Sequence, residues 1–550
     1  MRLLTTTGAL LLVSGLLCLS FADVLRWDLG DYYRKDLYGT DESTNSVVSA
    51  NLARKAWPPL LRLNPLNENF ASWLDGPEWQ HIPPLFAYVP VPLFKLEGRI
   101  TVETKRVSYA ALVLLTGLGF VAAVAAHERR WRPIAAAAVA TVLFYTSLFT
   151  RNLIRGTDFG ASDLMLAATV VLAYAALLWL SRALRPLPLW KLALAGVAAA
   201  LPICAKQALG GIAPATLLLF ALREDGYRPR RAFLTLSAAL GLTVLAEYLP
   251  MYLASPIAFQ IEQLWAFRHI SNNVDTWERP WHYFISEGYP DRYFKDSWAL
   301  VVAGLCGALA WFLRRGPLDR APGSVAVAGV WAGINLLVVS LLKSKSPNFV
   351  FQSYLLALYF ISYGVLSLII DSPRLSPHLA RSRAAALGAG PRVRLAATLA
   401  VLTGGVLAWQ GALGTFSRVP KGIRAMRGKP YVINTLNESY YEAAEELEKR
   451  GAGLNDLVVV DGTKEDDFFR YYILFLTGAE GVSLTDARAA RPTAAEVARK
   501  YLRLHFVRPR ESPLPPSLLA LGEVSALGRY REVRVPTSRL TDAALRAALE

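Results

Sequence analysis

The sequence predicts a mainly α, polytopic helical membrane protein with a small C-terminal α/β domain. Three observations carry this: an apolar composition, recurrent uncharged runs of spanning length, and a change to charged, periodic sequence near the C-terminus. Of 550 residues, 53% are hydrophobic and 19% charged. With a mean hydropathy of +0.30, the chain is too apolar to dissolve as a globule. A bilayer core takes about 20 apolar residues per spanning helix. Roughly eleven such runs occur, at about 3–22, 107–126, 133–150, 162–181, 189–205, 207–222, 232–250, 298–313, 324–342, 349–370 and 395–413. The first ends small-x-small at Ser20, Phe21 and Ala22, yet its length and the many later runs argue for a retained span over a cleaved signal.

Cys18, Cys204 and Cys306 fall inside or at the ends of these runs, with no metal-ligand spacing, and read as apolar filler. A net charge of +16 would suggest nucleic acid in a soluble protein. Here the basic residues gather in turns between spans, so nucleic acid is not an expected partner.

The same turns predict orientation. With the N-terminus cytoplasmic, five turns are basic on the inner side. They hold Arg129, Arg130 and Arg132; Arg182, Arg185 and Lys191; Arg223, Arg228, Arg230 and Arg231; Arg314, Arg315 and Arg320; and Arg374, Arg381, Arg383, Arg392 and Arg394. The loops at about 22–106, 151–161 and 251–297 and the tail beyond about 415 then lie outside, which corresponds to the periplasm of a bacterial inner membrane. The predicted domains are a transmembrane unit, 1–415, and a C-terminal periplasmic unit, 416–550.

In the tail, SYYEAAEELEKR at 439–450 is an amphipathic helix pattern ending at Gly451. DLVVVDG at 456–462 reads as a buried strand, and TAAEVARKYLRLHFV at 493–507 as helix running into strand. That alternation predicts an α/β unit. It carries no phosphate loop, metal cluster or nucleophile motif, which suits a lid, an acceptor-binding role or a structural one. Asn437, Glu438 and Ser439 match a glycosylation triplet and read more simply as a helix N-cap region.

The candidate chemistry lies outside. Asp41 and Glu42 precede an amphipathic stretch in the first outer loop. They either complement a helix N-terminus or, shielded from water, supply a general base. Farther on, EWQHIPPLFAYVPVPLFKLEG at 78–98 is too interrupted to span. It is expected to lie along the interface with Phe86, Tyr88 and Phe94 facing the membrane. Arg151, Arg155, Lys206, Lys343 and Lys345 sit at outward helix ends, against the insertion bias. They either snorkel to headgroups or converge on an anion such as a lipid phosphate.

The order of these features resembles the GT-C glycosyltransferases of family 39 type, which include the protein O-mannosyltransferases and the lipid A aminoarabinose transferases. The matching features are the Asp-Glu pair after the first helix, the Pro-Pro-Leu aromatic segment, Asp163 in SDLMLAATVVLAY, Lys206 in CAKQALGG, and FRHISNNVDTWERPWHYFI at 267–285. The resemblance covers roughly residues 1–370. It departs where the family's Lys-Pro-Pro-Leu reads His81, Ile82, Pro83, Pro84, Leu85, and where Asn45 replaces a Tyr.

The resemblance implies a sugar donor on a polyprenyl phosphate and a lipid, glycan or protein acceptor. It assigns catalysis to Asp41 with Glu42; Asp158 and Asp163 either orient the acceptor or pair with the outer cations, and Asp163 also reads as a plain helix N-cap. Donor phosphate binding falls to Arg155, Lys206, Arg268, His269, Lys343 and Lys345, and the lipid or loop wall to His81, Pro83, Pro84 and Tyr88. His269 alone reads equally as an interfacial histidine. No cofactor is implied; no His, Cys or carboxylate cluster has metal-ligand spacing, and a divalent metal assembled from distant loops stays open. Two rivals stand beside this reading. A secondary transporter would show related halves, and no internal repeat is found. A surface-polysaccharide ligase or polymerase shares the lipid donor.

Overall fold

The computed structural model describes residues 39–55, 84–146, 160–182, 187–206, 229–254, 323–342, 347–371, 435–462 and 469–550, with isolated positions between them. Among the described residues, five helices are long and apolar enough to cross a membrane: Thr104–His127, Ser162–Ser181, Arg230–Leu253, Gly323–Leu341 and Phe349–Leu366. Two shorter apolar helices, Trp131–Tyr145 and Leu189–Ala205, accompany them. All seven coincide with runs read from the sequence. The runs at 3–22, 298–313 and 395–413, nearly all of 207–222, and the domain boundary at 415 lie outside the described residues.

The outer-loop elements come first in the chain: helix α1 (Gly39–Lys55), a 3-10 turn (Pro84–Tyr88) and helix α2 (Val91–Glu97). The apolar helices are α3 (Val102–His127), α4 (Trp131–Thr146), α5 (Gly160–Ser181), α6 (Leu189–Ala205), α7 (Pro229–Ala254), α8 (Gly323–Leu341) and α9 (Tyr354–Asp371). Helix α3 packs against α4 and α5, α5 against α6, α6 against α7, and α9 against both α4 and α8.

Small residues allow the closest of these approaches, as expected where lipid offers no hydrophobic drive between helices. A Cβ at Gly196 of α6 would stand 2.5 Å from the Leu236 carbonyl oxygen of α7. Aromatic rings fill the centre. Phe120 of α3 meets Tyr359 of α9 edge-on at 5.3 Å and Tyr174 of α5 at 5.7 Å, and Tyr174 meets Trp331 of α8 at 6.3 Å. The Tyr174 hydroxyl donates to the Ser324 carbonyl at 2.7 Å, so this buried polar atom is satisfied. Ser324 in turn bonds Glu128 Oε1 through its amide and its hydroxyl, tying α8 to the end of α3.

The tail comprises α10 (Thr435–Lys449), β1 (Asp456–Val460), α11 (Phe469–Thr477), β2 (Glu480–Ser483), α12 (Leu484–Ala490), α13 (Ala494–Lys500), β3 (Arg503–Pro509), α14 (Pro516–Leu519), β4 (Glu523–Leu527), β5 (Tyr530–Pro536) and α15 (Asp542–Leu549). The five strands run in the order β2-β1-β3-β5-β4. Strands β1, β2 and β3 are parallel, whereas β3, β5 and β4 pair antiparallel. The predicted helix, strand and helix-to-strand segments all appear. Thr493 and Glu496 form a capping box at the start of α13.

A buried polar network crosses the sheet. His505 Nδ1 meets Glu532 Oε1 at 2.5 Å, and Arg503 grips Asp456 through Nε and a terminal nitrogen at 2.8 and 2.7 Å. Glu532 also accepts from Ser525 at 2.8 Å and faces Arg450 at 3.7 Å.

Candidate active site

The sequence explains why a lysine and an aspartate meet here. Asp163 occupies the first turn of α5, where a helix N-terminus favours an anion, and Lys206 follows the last turn of α6, where a helix C-terminus favours a cation. The helices are antiparallel neighbours, so these two ends lie side by side. Lys206 Nζ donates to Asp163 Oδ1 at 2.8 Å. The Asp163 side chain is 1% exposed and that of Lys206 is 14% exposed. A charge with no counter-charge in this setting costs several kcal/mol, which the pair avoids.

The first outer loop packs on the same two helices. The Pro84–Tyr88 turn packs on α5 and α6, and α1 packs on that turn. Helix α1 therefore connects to α5 and α6, the two helices that carry the pair, through the turn. The backbone of α1 carries positions 41 and 42 in its first turn. The side chains of Asp41 and Glu42 lie outside the described residues, as do Arg155, Asp158, Arg268, His269, Lys343, Lys345, His81, Pro83 and the ring of Pro84. Tyr88 is half-buried in the turn.

The expected membrane-facing rings are a correction. Phe86 is 0% and Phe94 2% exposed, so neither is a lipid anchor. Tyr109 of α3 donates to the Phe86 carbonyl at 3.0 Å, and Phe94 meets Phe475 of the tail edge-on at 6.3 Å. The interrupted segment folds back onto protein, because two more elements, α1 and α11, are available to cover its rings.

Other residues of this region went unread in the sequence. Lys105 and Arg106, in the first turn of α3, are each 3% exposed. Lys105 Nζ donates to Ser46 Oγ of α1 at 2.6 Å. Position 42 lies one helical turn before Ser46 on the same face of α1. Cations at a helix N-terminus oppose the macrodipole, and that local mismatch was the available signal.

Arg54, in the last turn of α1, was also missed. It donates to the carbonyls of Leu474, Phe475 and Leu476 at 3.1, 2.6 and 2.7 Å. Burial draws the guanidinium down from its ordinary value to about 10, with the Glu448 carboxylate opposing, so it stays charged at neutral pH. Among the described residues, no group of three or more His, Cys, Asp or Glu side chains is arranged to hold a metal.

The architecture has known counterparts. ArnT from Cupriavidus metallidurans in the apo state matches with a TM-score of 0.56 at 16% identity, over 97% of this chain and 99% of that one. The same protein bound to undecaprenyl phosphate gives 0.54 at 16% identity, over 96% and 98%. The fold is that of the GT-C membrane glycosyltransferases. The archaeal oligosaccharyltransferase AglB from Archaeoglobus fulgidus, in complex with an inhibitory peptide and a dolichol-phosphate, follows at 0.50 and 12% identity, over 99% of this chain and 77% of that one. No family model matches the chain, and no curated protein matches its sequence. A GT-C fold with spanning apolar helices makes the chain an integral membrane protein with a small C-terminal sheet unit.

Proposed function

We propose that this protein is a membrane glycosyltransferase that moves a sugar from a polyprenyl phosphate to an acceptor hydroxyl on the periplasmic face of a bacterial inner membrane. The observation that carries the reading is the Lys206–Asp163 pair, 2.8 Å apart at the adjoining ends of two helices of a GT-C bundle, on which the turn next to α1, the helix that bears Asp41 and Glu42, also packs. ArnT has been seen with undecaprenyl phosphate and AglB with dolichol-phosphate, which supports a lipid-linked donor for the same fold here.

In this reading the Asp41 carboxylate, with Glu42 beside it, takes the proton of the acceptor hydroxyl as that oxygen attacks the anomeric carbon. The bond between the anomeric carbon and the phosphate oxygen breaks, and polyprenyl phosphate leaves with the electron pair from the opposite face. Configuration inverts. The leaving phosphate needs little protonation, so cations can stand in for a general acid. Lys206 leads that set, joined by Arg155, Arg268, His269, Lys343 and Lys345. Asp163 holds the Lys206 ammonium in place, and Asp158 supports the acceptor. The N-terminus is assigned to the cytoplasm and the tail to the periplasm by the basic turns.

The test is purified protein in liposomes, given a panel of labelled polyprenyl-phosphate sugars with lipid, glycan and peptide acceptors. One donor should yield labelled product of inverted configuration, together with free polyprenyl phosphate. Movement of an intact donor across the bilayer with no transfer would sink the reading in favour of a transporter.

A further inference from the structure

The C-terminal unit is bound to the first outer loop at three places that the sequence pattern does not announce. Arg54 of α1 caps the C-terminal end of α11 through three carbonyls, Leu474, Phe475 and Leu476. Phe94 of α2 meets Phe475 of the same helix. Asn64 joins the tail twice, donating to the Lys500 carbonyl at 3.2 Å and accepting from the Tyr501 hydroxyl at 2.7 Å.

The Arg54 contact is a fitted one. The last carbonyls of a helix have few backbone partners; the Leu474 carbonyl also accepts from the Gly478 N–H at 3.1 Å, and a planar guanidinium serves several such carbonyls at once. The chain then turns at Gly478 with φ +74, where an added Cβ would stand 2.9 Å from Arg54 Nε. Both the left-handed backbone and the space taken by the guanidinium call for glycine there. All nine side chains of α11 but that of Arg470 are buried, so this helix is a rigid seat. A long cation brought into such a place loses solvation, and burial also lifts the carboxyl of Glu448, which lies beside it on α10, above its ordinary value. A surface arginine would avoid these costs.

We infer that the C-terminal unit is a positioning element for α1, with Arg54 the residue that couples the two. Resting on the glycosyltransferase reading, this makes the tail part of the reaction machinery. It fixes the helix whose first turn carries Asp41 and Glu42, while Lys105, through Ser46, holds the same helix from the membrane side. Arg54 touches no reacting atom. Its loss should therefore lower turnover by letting α1 move, and leave donor affinity alone.

The test uses the full-length protein in nanodiscs and compares wild type with Arg54→Met, Arg54→Lys and Gly478→Ala by hydrogen exchange and by transfer kinetics. In Arg54→Met the amides of α1 should exchange faster while those of β1, β3 and β5 are unchanged. The value of kcat should fall by about tenfold or more, since small misplacements of reacting groups cost that much, with the donor KM kept within about twofold. Arg54→Lys should restore part of both, and Gly478→Ala should reproduce the defect from the opposite side of the contact.

Unchanged α1 exchange in Arg54→Met, or faster exchange with kcat intact, overturns the inference. Should Arg54→Met loosen the strands as well, Arg54→Lys and Gly478→Ala decide it on the same two measurements. Transfer lost in Asp41→Asn but untouched in Arg54→Met removes only Arg54. No transfer by wild type with any donor removes the enzyme reading and this role with it.

Discussion

Lys206 Nζ stands 2.8 Å from Asp163 Oδ1 at the adjoining ends of two antiparallel helices, with the aspartate almost wholly buried. Each partner stabilises the other's charge, and breaking a buried ion pair by removing one side costs about 3–5 kcal/mol. Lys206→Met and Asp163→Asn should each lower the detergent midpoint of unfolding. The double variant should lose less than the sum of the two, the signature of direct coupling. Additive losses would mean that the pair does not act as a unit.

If Lys206 also faces a leaving phosphate, the same variant separates stability from chemistry. Lys206→Met should lower kcat by about 100-fold, the order found when one stabilising donor is removed at a developing charge. Asp163→Asn, which leaves the ammonium present but less well held, should cost less. Initial rates at saturating donor check this, and equal losses would argue that the pair is structural alone.

The seven described apolar helices were legible because spanning length in an uncharged run leaves few other structures open. Lys206 and Asp163 were legible for a related reason: each is a charge at the border of an apolar run. The tail helix before Gly451 and strands β1 and β3 followed from periodicity and burial of valines. Arg54 was not legible, because its carbonyl partners lie more than 400 residues away in sequence and nothing local marks a helix end that a distant arginine will cap. FRYYILFLT gave no period to read, being apolar on nearly every face, as a helix enclosed on all sides should be. Phe86 and Phe94 read as lipid-facing in the sequence because nothing local to them marks the cover that α1 and the tail provide.

Acid should loosen the tail through Glu532. Burial works against its ionisation, but the hydrogen bond and charge of His505, the Ser525 hydroxyl and Arg450 outweigh that and hold its carboxyl below the ordinary 4.5. A depressed carboxylate contributes stability that is present above its unfolded value and lost as pH falls through its folded one. The window therefore opens at 4.5 and runs downward. Pulse proteolysis of the tail in urea should show a midpoint that drops as pH falls below 4.5, with a shallower drop in Glu532→Gln. Parallel curves would remove Glu532 from the account.

Gly196 should admit no larger residue without cost. A methyl there meets the Leu236 carbonyl of α7 at 2.5 Å, and backbone cannot swing aside as a side-chain tip can. Gly196→Ala should destabilise the bundle by about 1–3 kcal/mol, read from thermal unfolding in detergent micelles. A gain in stability would show that α6 and α7 do not pack this closely.

The central claim is sugar transfer from a lipid phosphate by a carboxylate on α1, and the rate of that transfer in Asp41→Asn tests it most directly. Labelled donor and acceptor at saturating concentration should give product with wild type and about 100- to 10,000-fold less with the variant, the range attributed to a general base, while the protein stays folded. Transfer undiminished in both Asp41→Asn and Glu42→Gln would contradict it.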